Sequence, residues 1–120
     1  MTPTRKLALA LSLASALSAP VLPAVAGSDN KFDGNWSLSV VTEKGDCDAY
    51  TWTVVVAGNK LQRIEQLPIG ASGSIDSRGQ ARFQVASMVT AAGQMQDTSG
   101  SGRWDAPSRS CSGRWRAARL

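Results

Sequence analysis

Histidine is absent from the sequence. Its absence removes the commonest general base, and with it Ser-His-Asp triads, Cys-His pairs and most zinc sites. Cysteine is scarce: Cys47 and Cys111 are the only two, so a thiolate nucleophile would require one of them to be unpaired. None of Lys31, Lys44 and Lys60 lies in a recognisable nucleophile motif. The carboxylates fare no better. Asp46 and Asp48 flank Cys47, and Asp29 and Asp33 precede the first tryptophan, but these are turn or strand-start positions, where solvated acids are common. Glycosidases instead need two carboxyls across a cleft. The segment Asp29-Asn30-Lys31-Phe32-Asp33-Gly34 superficially suggests a calcium loop, yet Lys31 and Val40 stand where an EF-hand needs an oxygen ligand and a bidentate acid. Gly100-Ser101-Gly102 leads into neither a helix nor the Lys-Ser/Thr pair of a phosphate loop. The sequence therefore reads as non-enzymatic, with no cofactor or metal.

Long apolar runs are also lacking, with one exception. Leu7 to Leu17 is a Leu/Ala stretch broken by Ser12 and Ser15, preceded by Arg5 and Lys6 and followed by Pro20, Pro23 and Ala24-Val25-Ala26. These are the three parts of a secretory signal. Residues 1–26 are therefore predicted to be a helical signal peptide cleaved before Gly27. The run falls short of the roughly 20 residues that span a bilayer. No cysteine follows it to take a lipid, and no later segment is apolar enough to cross a membrane. The predicted location is periplasmic or secreted.

Cleavage leaves residues 27–120 as a single β-domain, with little core for its size. An even cysteine count in an exported chain predicts a Cys47–Cys111 disulfide. Charge is unevenly placed. The chain has 13 Lys+Arg and 9 Asp+Glu, and loss of Arg5 and Lys6 leaves 11 against 9, a net of +2. Residues 27–58 carry −3 and residues 103–120 carry +4.

Period-2 alternation runs through the domain and helical periodicity does not. Phe32, Trp36, Leu38 and Val40 share one face, as do Tyr50, Trp52, Val54 and Val56. Turns are expected at 43–46, 57–60 and 76–79. A strand is expected over 80–89 with Phe83, Val85 and Val89 on one face, then a short strand over 93–97 and a small polar stretch at 98–101. Ser101-Gly102-Arg103-Trp104 recurs as Ser112-Gly113-Arg114-Trp115, predicting a closing hairpin. A register with Trp104 opposite Cys111 and Gly102 opposite Gly113 would put those four on one face. Arg103, Arg114 and Arg116 would then point outward. Together these features predict an all-β fold, a small antiparallel meander of six to eight short strands closing as a barrel or sandwich.

Phe32-Asp33-Gly34-Asn35-Trp36 and Cys111-Ser112-Gly113-Arg114-Trp115-Arg116-Ala117-Ala118-Arg119 resemble the ends of a group of small exported bacterial proteins without assigned function. The pattern of Gly34, Trp36 and Arg119, a Gly-x-Trp on the first strand with an Arg on the last, is similar to that of the calycins (lipocalins and avidins). That likeness implies an arginine packed across the tryptophan, closing the bottom of an up-and-down barrel.

Three functions remain in view. A basic face of Arg103, Arg114 and Arg116 would bind an anionic envelope component; export and the small net charge argue against nucleic acid. Alternatively, a protruding segment, Gly27 to Lys31 or 105–110, would plug an extracytoplasmic protease or lysozyme. A calycin-like carrier would instead enclose an apolar cavity of about 300 Å³ or more.

Overall fold

The computed structural model describes residues 30–120, so the predicted signal peptide lies outside the described residues, as do Gly27, Ser28 and Asp29. The alternating pattern forms eight strands: β1 (Gly34–Lys44), β2 (Tyr50–Ala57), β3 (Lys60–Ile64), β4 (Ala71–Ile75), β5 (Gln80–Val85), β6 (Val89–Met95), β7 (Ser99–Ala106) and β8 (Cys111–Arg119). Each pairs with the next, and β8 returns to β1, giving a closed up-and-down barrel. Every pairing is antiparallel. Closure gives every strand a neighbour on both sides, though at β3–β4 by one residue pair only. It also puts alternate residues inside, so the apolar positions read from the sequence become one continuous lining.

Two connections differ from expectation. The stretch 80–89 is not one strand, because a tight turn separates β5 from β6 at Ala86 and Ser87. Met88 donates its backbone N–H to the Val85 carbonyl at 3.0 Å, and φ is +51° at Ala86 and +57° at Ser87. Hairpin turns of this hand favour Asn and Gly, and neither is present to announce it. The turn expected at 43–46 starts later, because β1 runs on to Lys44.

The closing hairpin exists with its register moved by two residues. Cys111 lies opposite Ala106, Trp104 opposite Gly113, and Gly102 opposite Trp115. An even shift leaves every side chain on its expected face, so Trp104 and Cys111 both point inward. The physical reason is space. A Cβ on Gly102 would lie 2.7 Å from the Trp115 ring, so each indole of the repeated Ser-Gly-Arg-Trp lies over the other copy's glycine. The same register sets Arg103 directly opposite Arg114, a like-charge pair that alone is unfavourable. Glu43, outside the barrel on β1, resolves it by pairing with Arg103 at 3.1 Å and Arg114 at 2.6 Å.

A Cys47–Cys111 disulfide joins the β1–β2 loop to the start of β8. Opposite it the wall is looser. β3 and β4 pair only at Lys60 and Ser74 and separate towards the loop 65–70.

Candidate functional site

One end of the barrel is sealed. Trp36 is fully buried, and its indole N–H donates to the Phe32 carbonyl at 2.9 Å. This bond folds residues 30–33 across the opening and buries Phe32. Arg119 reaches back over the same ring, its guanidinium carbon 4.4 Å from the ring centroid, a cation–π geometry. Its N–H groups donate to the carbonyls of Lys31 at 2.6 Å, Asp33 at 2.8 Å and Asp97 at 2.9 Å. Gly34 is extended through positive φ, +133°, and a Cβ there would meet the guanidinium at 3.2 Å. The three residues singled out in the sequence thus converge on one closure. Asp33, weighed earlier as a carboxylate of possible chemistry, caps the next turn instead, accepting the backbone N–H groups of Gly58 and Asn59, both at 2.9 Å.

Above this seal the interior divides into two halves. Trp36, Val56, Leu61, Ile75, Met95 and Trp115 fill the lower half and are buried. Leu38, Val40, Trp52, Phe83, Val85, Val89 and Ala91 point inward yet are only half-buried, because a cavity of about 410 Å³ lies between them. At about 30 Å³ per water-sized group, it admits roughly a dozen non-hydrogen atoms. It is a blind cup: closed by the packed half and the Trp36–Arg119 seal, open among the loops at the far end.

The cup is almost wholly apolar. Trp104 lines it, but its indole N–H is spent on the Val41 carbonyl at 3.0 Å, beside a bulge between Thr42 and Lys44. Trp115 meets Phe83 edge-on, centroids 5.8 Å apart, and its buried N–H has no acceptor among the described residues. Six of the seven aromatic residues line the cavity, Trp36, Tyr50, Trp52, Phe83, Trp104 and Trp115, and the seventh is the plug Phe32.

The mouth is two-sided. Leu67, Ile69, Ala86 and Met88 line one side, from the β3–β4 and β5–β6 connections; Asp46, Asp48 and Arg109 line the other, from the loops that the disulfide joins. Tyr50 and Trp52 stand between, stacked at 5.0 Å. Tyr50, Ile69 and Met88 are 45%, 46% and 42% exposed, an apolar lip in water.

Arg103, Arg114 and Arg116 lie together on the outer wall, with Arg82 two strands away in the row Arg82–Ala92–Arg103–Arg114. Glu43 engages two of them. The segment 105–110 does not protrude: Asp105 and Ala106 belong to β7, and Pro107–Arg109 form one 3₁₀ turn. Lys31 sits at the sealed end, its carbonyl held by Arg119. Among the described residues, no three His, Cys, Asp or Glu side chains gather as a metal site would require, and no helix is long and apolar enough to cross a membrane.

Sequence reasoning set the cup-wall residues on common faces and passed over the lip residues Ile69 and Met88. The alternation of the wall was visible, but a filled and a hollow barrel share the same alternation. The fold and site together define a class: a small closed β-barrel with one sealed end and an apolar cup. Compared with protein-family models, curated proteins and solved structures, the chain matches none.

Proposed function

We propose that the chain is an exported, non-enzymatic binding protein that holds a small, largely apolar molecule inside a calycin-like barrel. The cup carries this reading: an apolar space of about 410 Å³ with a blind floor and an open mouth falls in the size range of small-molecule sites. Well-packed domains of this size leave few voids larger than a water molecule, so a half-barrel kept open by aromatic walls argues for an occupant. The disulfide fits an oxidising compartment outside the cytoplasm. The outer arginines support an anionic partner less well, since one carboxylate already engages Arg103 and Arg114. The inhibitor reading finds less support, since residues 105–110 are folded into β7 and a short 3₁₀ turn.

The test is binding of a neutral naphthylamine dye that brightens in apolar surroundings. Ala91 faces the cup and Ala92, its neighbour on β6, faces out. Ala91→Trp fills the space and should abolish dye binding, whereas Ala92→Trp should leave it intact. Equal binding by both variants would remove the cup as the site.

A further inference from the structure

We propose that the cup selects amphiphiles whose polar end is a cation, an inference that rests on the cup being the ligand site. Below the mouth the wall runs through Leu38, Val40, Val85, Val89 and Ala91, and the one unpartnered polar atom there is the Trp115 indole N–H, a donor. A cation carried to that depth would lose its water and find no acceptor to replace it. The ligand therefore enters apolar end first and leaves its polar group at the mouth.

The charges there choose the group. The four loops that frame the mouth, 45–49, 65–70, 86–88 and 107–110, carry Asp46, Asp48, Glu65 and Arg109, a net of −1 once Glu65 is set against Arg63. Glu65 is paired with Arg63 at 3.0 Å. Asp46 and Asp48 line the opening and form no ion pair among the described residues. The disulfide at Cys47 fixes the loop that bears both of them. Next in the chain stand the stacked Tyr50 and Trp52, whose ring faces attract cations. A cleft with low-dielectric walls focuses such a field towards its opening. Arg109 is the one cation on these loops, and it is outnumbered. The arginines of the outer wall, Arg82, Arg103, Arg114 and Arg116, belong to strands and face away from the cup.

Displacement of the neutral dye by decylammonium, decanol and decanoate at low ionic strength tests this on the disulfide-bonded protein. Decylammonium should displace the dye at a concentration about ten-fold lower than decanol, the combined effect of cation–π and ion-pair attraction at a wet mouth. Decanoate should be the weakest. Asp46→Asn with Asp48→Asn should erase the ammonium preference while leaving decanol unchanged and the melting temperature close to that of the parent. Decanoate binding most tightly, equal binding of all three, or a preference that survives the double substitution would overturn cation selection and leave the apolar cup standing. Failure of the dye and of all three amphiphiles to bind would remove the cup reading and this inference with it.

Discussion

The two ends of the barrel are built from the same alternating strands and do opposite things. At the sealed end, Trp36, Phe32 and Arg119 satisfy their polar atoms on backbone carbonyls and leave no space. At the mouth, inward-pointing side chains stop short of one another, apolar residues stand in water, and a covalent bond holds the loops. Stability concentrates where polar groups are satisfied and apolar ones buried. Binding capacity concentrates where burial is left incomplete. The contrast places the folding core at one end and, on the proposed reading, recognition at the other.

Breaking the seal should have the largest effect. Trp36→Ala removes a fully buried indole, its bond to Phe32 and the platform under Arg119, and should cost about 3–5 kcal/mol in urea unfolding. That is a large share of the stability of any small domain. A loss below about 1 kcal/mol, within the range of ordinary surface changes, would show that the closure is ornamental.

The seal was legible in the sequence because its parts are specific residue types at fixed parity: Gly34 and Trp36 two apart, and Arg119 on the inward face of the last strand. The same parity logic placed the inward set and the outward arginines. What stayed hidden follows from symmetry in the pattern. The closing hairpin admits registers two residues apart with identical faces, and only the fit of Trp115 over Gly102 selects one. The turn at Ala86 and Ser87 uses residues with no turn signature. Whether inward side chains meet depends on barrel radius, which alternation does not encode, so the cup had no sequence signal beyond its apolar lining.

Removing the covalent tie should have an intermediate effect. Cys47→Ser with Cys111→Ser frees a closure spanning 64 residues, for an expected loss of about 2–4 kcal/mol. The comparison of the two ends makes a sharper claim about where this loss is felt. Hydrogen exchange should accelerate first at residues 45–49 and 107–110, around the mouth, while the amides near Trp36 keep their protection until global unfolding. Uniform acceleration along all eight strands would mean that the ends are not energetically separate.

The smallest effect on stability should accompany a clear effect on binding. Ile69 and Met88 are nearly half exposed on the apolar side of the mouth, so they contribute little to the core. Ile69→Ser with Met88→Ser should shift the unfolding free energy by no more than about 0.5 kcal/mol. Dye affinity should nevertheless fall about three- to ten-fold, because these side chains gain apolar contact only when the cup is occupied, at about 0.8 kcal/mol per buried methylene. Val41 provides the control. It is 45% exposed, like Ile69 and Met88, but it lies on the outer wall opposite Arg114. Val41→Ser removes comparable exposed apolar surface that faces away from the cup and should leave dye affinity unchanged. If Val41→Ser weakened the dye as much as the lip variant, the lip would be surface like any other, and recognition would lie deeper in the cup.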